Sequence, residues 1–120
     1  MLWDDFFQPN PGDGPNVVDL PPYLDNVTDK VLHYRNHPSI IVWCARNEGY
    51  PPQVLDDELK NLMARPVPDR LYQSNSPEGR GVSSHGPYYW RAPRYYYALN
   101  EAFKTETGST SVPKMVRFKA

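Results

Sequence analysis

The chain has 120 residues, 13 basic and 14 acidic side chains and a formal net charge of −1; with no basic run or stripe, nucleic acid is excluded as an expected partner. A mean hydropathy of −0.71 and the shortness of the longest apolar run argue against a membrane span. Fourteen prolines beside nine tyrosines indicate a folded chain with long shaped loops, because disordered chains are poor in aromatic residues.

Strands alternate with helices along the predicted chain. The β-branched and apolar residues 40–45 follow one another without alternation, which is typical of a buried strand in a parallel sheet. The single cysteine, Cys44, lies in this run and is interpreted as a buried, unreactive thiol. The predicted elements are a strand over 1–7, a helix from Asp19 to 36, the strand over 40–45, a helix over 53–64, a strand over 71–74, a strand end within 82–90, a helix over 94–102 and a strand over 102–106.

The first two predicted helices are amphipathic, with apolar side chains three and four residues apart. Asp19 is the predicted cap of the first, and Pro21 and Pro22 suit its first turn. The predicted apolar faces are Leu24, Val27, Val31 and Leu32 in the first helix, and Val54, Leu55, Leu59, Leu62 and Met63 in the second.

The alternation of strands and helices predicts an α/β fold with a parallel sheet. Doubly wound sheets and eight-stranded barrels both fit this order. A barrel needs more strands than the chain supplies, so the barrel interpretation implies that residues 1–120 are an internal fragment. We expect such a fragment not to act alone, because an open half-barrel exposes strand edges.

Two carboxylates follow predicted strand ends. Glu48 comes after the apolar strand and Glu106 closes the last predicted strand. In a parallel barrel, both would face the active-site mouth, and glycoside hydrolysis uses such a pair. Asn47 is positioned to bind a sugar 2-hydroxyl, a contact that strengthens in the transition state. The alternative interpretation, in which Glu48 pairs with Arg46, carries equal weight on these residues alone.

Four blocks of the chain resemble glycoside hydrolase family 2, which includes β-galactosidases, β-mannosidases, β-glucuronidases and exo-β-glucosaminidases. The most specific block is an Arg-Asn-His-Pro-Ser turn leading into an apolar strand and then Asn-Glu. The four blocks are residues 35–43 with Asn47 and Glu48, residues 3–7, residues 103–108 with 111–113, and the aromatic segment 86–90.

This resemblance implies a retaining, exo-acting β-glycosidase, with Glu48 as acid/base and Glu106 as nucleophile. The expected substrates are oligo- or polysaccharides with a terminal β-mannoside, β-galactoside or β-glucosaminide, and no cofactor or metal is expected. The implied fold is a partial (β/α)8 barrel, roughly strands 3 to 7, and residues 1–120 would be a fragment of the catalytic domain. The parent protein would carry additional β-sandwich domains.

The chain departs from the family pattern at three places. Arg46 stands where many members carry a small residue, Asp5 stands where Glu is common, and Lys104 with Thr105 replaces a frequent Ser. These departures leave both carboxylates in place, and they leave the sugar specificity open.

Five further residues are predicted to bind substrate. Tyr88 or Tyr89 is expected to donate a hydrogen bond to the nucleophile, as a barrel tyrosine does in related enzymes. Trp90 suits a sugar-stacking wall, with a core role as the alternative, and His85 precedes this aromatic segment. Asp4 and Asp5 either contact substrate or hold a neighbouring Arg as structural support, and Asp4 is the one of the two predicted to bind substrate.

Two rival functions remain open from the sequence. A non-catalytic carbohydrate-binding module would use the aromatic residues alone, without the two carboxylates. A doubly wound nucleotide-binding domain is disfavoured, because no glycine-rich phosphate loop follows any predicted strand.

Overall fold

A computed structural model of the chain describes residues 1–79, 82–83, 86–99, 103–106 and 108. The elements are β1 (Leu2–Asp5), α1 (Leu20–Tyr34), β2 (Ile40–Cys44), α2 (Gln53–Met63), β3 (Leu71–Gln73), β4 (Val82–Ser83), α3 (Pro93–Leu99) and β5 (Phe103–Lys104). Strands β1, β2 and β3 form a parallel sheet with β2 in the centre, and β4 pairs with β5 in parallel. The fold is therefore α/β, with a three-stranded parallel sheet alternating with helices, and the sheet is not closed into a barrel.

The main core lies between the three-stranded sheet and helices α1 and α2. Trp43 of β2 is 1% exposed and stacks on Phe6, with ring centroids 5.4 Å apart. The helices bury apolar side chains against this pair, as the spacing in the sequence predicts. The fully buried helix residues are Val27 and Val31 of α1, and Leu55 and Leu59 of α2.

The buried stripe of each helix is narrower than the sequence predicts. Val54 is 64% exposed and Leu32 is 46% exposed, although both were predicted to lie on the apolar faces. Each neighbours a fully buried residue in sequence, and consecutive helix residues point about 100° apart. Leu32 instead lines the groove between α1 and α2. Among the described residues, no helix is both long and apolar enough to span a membrane.

The opposite face of the sheet lines an apolar cavity of about 350 Å³. All five strands of the described residues contribute to its walls, so the β4–β5 pair and the three-stranded sheet face the same apolar space. The lining residues include Leu2 of β1, Val42 of β2, Leu71 of β3, Val82 of β4 and Phe103 of β5.

Cys44 ends the central strand beside Asp5 of β1. The thiol is 0% exposed. Burial, reinforced by the negative charge of Asp5, raises the pKa of Cys44 to about 12. The thiol therefore stays protonated at neutral pH, which agrees with its interpretation as buried and unreactive.

Candidate active site

Glu48 and Glu106 both follow the carboxyl ends of strands, and one hydroxyl links them. The hydroxyl of Tyr88 hydrogen-bonds to Oε1 of Glu48, and it lies 3.0 Å from Oε2 of Glu106. Each hydrogen bond is about 3 Å or shorter, so these two carboxyl oxygens lie within about 6 Å of each other. The structure thus brings together the two carboxylates that the sequence predicts to be paired.

The number of protons limits the hydrogen bonds that Glu48, Tyr88 and Glu106 can form at one time. A tyrosine hydroxyl carries one proton, so it can donate to only one carboxylate at a time. The second contact becomes a hydrogen bond when the other carboxyl is protonated and donates to the hydroxyl oxygen. Desolvation, followed by the hydrogen bonds to Glu48 and Glu106, raises the pKa of Tyr88 above its usual value. The hydroxyl therefore stays protonated and remains a donor.

The residues around Glu48 fix both its backbone and its side chain. Its φ of 46° lies in the left-handed region, which costs a residue with a side chain roughly 1–2 kcal/mol. The backbone N–H donates to Oγ of Ser76 at 2.9 Å, and Nδ2 of Asn10 donates to Oε2 of Glu48 at 2.6 Å. These contacts offset the unfavourable backbone conformation and hold the carboxyl in the site.

Ser76 is a junction between the two carboxylate-bearing segments. It is 3% exposed, and its hydroxyl accepts from the N–H of Glu48 and donates to Oδ1 of Asn47 at 3.3 Å. Its carbonyl accepts a hydrogen bond of 2.9 Å from the hydroxyl of Thr105, the residue before Glu106. One buried serine therefore contacts both sides of the site.

Arg46 ties the loop after β1 to the end of β2. The guanidinium is buried, with the residue 3% exposed, and Nε donates to the carbonyl of Pro9 at 2.9 Å. Nη1 donates to Oδ1 of Asn16 in the same loop. Gln8 adds a hydrogen bond of 3.0 Å from Nε2 to the carbonyl of Ala45. These side-chain hydrogen bonds tie Arg46 to the loop after β1, whereas one interpretation of the sequence paired Arg46 with Glu48.

The two adjacent aspartates of β1 point to opposite faces of the sheet, as successive strand residues do. Asp4 forms an ion pair of 2.5 Å with Lys30 of α1. Asp5 accepts a hydrogen bond of 2.8 Å from Nε1 of Trp3, and it lines a cleft of about 200 Å³ together with Glu106. The structure does not bring Asp4, the predicted substrate ligand, to the carboxylate pair. It brings Asp5 to the cleft beside Glu106, because a shift of one residue along a strand reverses the face.

The other residues predicted to bind substrate differ in their exposure and in their contacts. Asn47 is half-buried beside Glu48. Tyr89 is 56% exposed, and its ring packs under the guanidinium of Arg91 at 4.2 Å. Trp90 is 75% exposed, so it is not part of the core that the described residues form. His85 lies outside the described residues.

Two residues of the site, Asn10 and Ser76, belong to no motif of the sequence that predicts a functional role. Asn10 sits in a loop rich in proline and glycine, and Ser76 follows a strand of three residues. The only available clue is positional, since both follow the carboxyl end of a strand, where barrel enzymes place their active-site residues. In the described part of the chain, no three His, Cys, Asp or Glu side chains are grouped as they would be to hold a metal ion.

Comparison with protein-family models, with curated proteins and with solved structures finds no match to this chain. The resemblance to glycoside hydrolase family 2 therefore stays a prediction from sequence motifs. The site consists of the carboxyl groups of Glu48 and Glu106, which are joined by the hydroxyl of Tyr88, and a cleft lies beside Glu106.

Proposed function

We propose that the chain is part of a retaining, exo-acting β-glycosidase that hydrolyses terminal β-linked sugars. The observation that carries the proposal is the Tyr88 hydroxyl shared by Glu48 and Glu106. This arrangement is fully hydrogen-bonded when one carboxyl is protonated and the other is ionised. A retaining glycosidase needs that same combination, one acid and one nucleophile, with its carboxyl groups about 5–5.5 Å apart.

The proposed parent fold is an eight-stranded barrel, of which this chain supplies roughly strands 3 to 7. The shared apolar cavity supports this proposal, because side chains from all five strands line it and a closed barrel fills its interior with such side chains. The three-stranded sheet is open, so in this proposal the remaining strands would come from outside residues 1–120.

In the proposed mechanism, Glu48 begins protonated and Glu106 begins ionised. Glu106 attacks the anomeric carbon while Glu48 gives its proton to the departing oxygen, so that an alcohol leaves and a glycosyl ester forms on Glu106. Glu48, now ionised, takes a proton from water, and the resulting hydroxide displaces Glu106 from the sugar. Tyr88 donates to the Glu106 oxygen while that carboxylate is charged. Asn47 is proposed to bind the 2-hydroxyl of the sugar.

A mechanism-based label tests this proposal in the complete protein that contains the chain. A 2-deoxy-2-fluoro-β-glycosyl fluoride should react once per active site, and peptide mass spectrometry should find the sugar on Glu106. Proton NMR should show that the sugar formed first from an ordinary β-glycoside is the β-anomer. A first-formed α-anomer, or a label on a different carboxylate, would contradict the proposal.

The alternative function, a non-catalytic carbohydrate-binding module, has one observation in its favour. Tyr88, Tyr89 and Trp90 are consecutive and are 51%, 56% and 75% exposed, as residues that stack on sugars would be. Saturable binding of a sugar by the complete protein, with neither hydrolysis nor labelling of Glu106, would support this alternative.

A further inference from the structure

The loop that joins β1 to α1 places a hydrogen-bond donor on the Glu48 carboxyl. Nδ2 of Asn10 lies 2.6 Å from Oε2 of Glu48, whereas the contact with Tyr88 is made by Oε1. The two oxygens of one carboxyl are therefore in different surroundings. Oε1 faces Tyr88 and Glu106, and Oε2 faces the loop.

The orientation of the Asn10 amide follows from a second contact. The backbone N–H of Gly12 donates to Oδ1 of Asn10 at 2.9 Å. An N–H group needs an acceptor, which assigns the carbonyl end of the amide to Gly12 and the NH₂ end to Glu48. Asn10 is thus a donor toward the carboxyl, fixed in that role by its own loop.

The loop is held against Glu48 by contacts that do not involve the carboxyl itself. Arg46 donates to Pro9 and to Asn16, on either side of Asn10 in sequence. Gly49, the residue after Glu48, lies so close to the ring of Pro11 that a Cβ there would overlap it. A side chain at position 49 would therefore push the loop, and Asn10 with it, away from the carboxyl.

We propose that Asn10 is a positioning residue that assigns the proton of Glu48 to Oε1; the proposal rests on the glycosidase function proposed above. A carboxylic acid has one hydroxyl-type and one carbonyl-type oxygen, and the carbonyl-type oxygen is the better acceptor. The donor at Oε2 therefore favours the proton on Oε1. That oxygen faces Glu106, where the sugar would be held during the reaction, so the proton transferred to the departing oxygen comes from Oε1.

The leaving group provides the test, because only a poor leaving group depends on the acid. In the complete protein, Asn10→Asp keeps the oxygen that Gly12 uses and replaces the donor toward Glu48 with an oxygen. We expect kcat/KM for an alkyl β-glycoside to fall by about 10- to 100-fold, a part of the roughly 10²–10⁴-fold contribution of general acid catalysis. For the 2,4-dinitrophenyl glycoside of the same sugar, kcat/KM should remain close to that of the unmodified protein.

Two further variants separate positioning from folding. Asn10→Leu removes the donor without adding charge, and it should show the same dependence on the leaving group. Asn16→Asp makes the identical chemical change in the same loop while keeping an acceptor for Arg46, and it should leave both substrates unaffected. Labelling by the fluoro sugar counts the correctly folded sites in each variant.

An equal loss on both substrates would show a merely structural role for Asn10 and would overturn the inference. Unchanged rates on both substrates in Asn10→Asp and Asn10→Leu would overturn it as well. In either case the proposed function would stand, since the unmodified protein would still hydrolyse both substrates. An unmodified protein that hydrolyses neither and takes no label on Glu106 would instead contradict the proposed function.

Discussion

Glu48 and Glu106 reach the same hydroxyl from segments that are built differently. Glu48 follows a strand of five residues that is paired on both sides, and four of those five residues are buried. Glu106 follows a strand of two residues that pairs, within the described part of the chain, with the two residues of β4.

Backbone hydrogen bonds between loops hold the Glu106 segment, because its strand has only two residues. The N–H of Gly86 donates to the carbonyl of Glu106 at 2.9 Å, and the N–H of Gly108 donates to the carbonyl of Pro87 at 3.0 Å. These bonds join the Glu106 segment to the segment that carries Tyr88. The difference teaches that a buried, doubly paired strand anchors the segment leading to Glu48, whereas the Glu106 segment is joined by loop hydrogen bonds to the segment of Tyr88.

The largest effects should come from removing either carboxyl. In the proposed mechanism Glu48 is both acid and base, a role worth roughly 10²–10⁴-fold, so Glu48→Ala should slow the hydrolysis of alkyl glycosides by that factor. Glu106→Ala should cost more, because no covalent intermediate can form. Steady-state kinetics in the complete protein measure both losses.

Added azide distinguishes the two roles in these variants. In Glu48→Ala it should replace water in the second step and give the β-glycosyl azide. In Glu106→Ala it should enter from the side that Glu106 vacates and displace the leaving group of an activated β-glycoside in one step, which gives the α-glycosyl azide. Exchange of these two outcomes would show that the roles of acid/base and nucleophile are reversed.

Tyr88→Phe should produce the next largest effect. It removes the hydroxyl that both carboxyls share and keeps the ring. A hydrogen bond to a charged group is worth about 1.5–3 kcal/mol, which corresponds to roughly 10- to 150-fold in kcat. Tyr97, which is 86% exposed, supplies the matched control, and Tyr97→Phe should leave kcat unchanged. Equal kinetics of both variants would show that the shared hydroxyl has no part in the reaction.

The smallest effects test how each segment is held. Ser76→Ala removes two hydrogen bonds, one from the N–H of Glu48 and one to Oδ1 of Asn47. Thr105→Val removes one hydrogen bond, to the carbonyl of Ser76, and an ordinary hydrogen bond contributes about 0.5–1.5 kcal/mol. Chemical denaturation of the complete protein should therefore show the greater loss of stability in Ser76→Ala. The reverse order would mean that the Glu106 side is the more firmly held.

The sequence predicted the order of strands and helices because buried strands and amphipathic helices leave periodic patterns. The predicted helix over 53–64 spans Gln53–Met63, and the predicted strand over 40–45 spans Ile40–Cys44. The last strands were predicted less accurately. Val82–Ser83 and Phe103–Lys104 have two residues each, which is too short for a periodic pattern of apolar and polar residues.

The two carboxylates could be predicted because each follows a strand. Their supporting residues could not, since Asn10 and Ser76 act through loop conformations that no short pattern encodes. A similar reason explains why Asp5 lies beside Glu106, although Asp4 was the residue predicted to bind substrate. Both aspartates belong to one strand, and only its register against β2 decides which of them faces the cleft.

The left-handed backbone of Glu48 has a consequence for inactivation by heat. This conformation is maintained by Ser76 and Asn10, which belong to two separate loops, and not by the hydrogen bonds of the sheet. When either loop opens, Glu48 can relax to an ordinary backbone conformation and turn its carboxyl out of the site. In the proposed enzyme, activity would then be lost at a temperature below that at which Trp43 and the helices unfold, so the far-ultraviolet spectrum would look native in an inactive molecule.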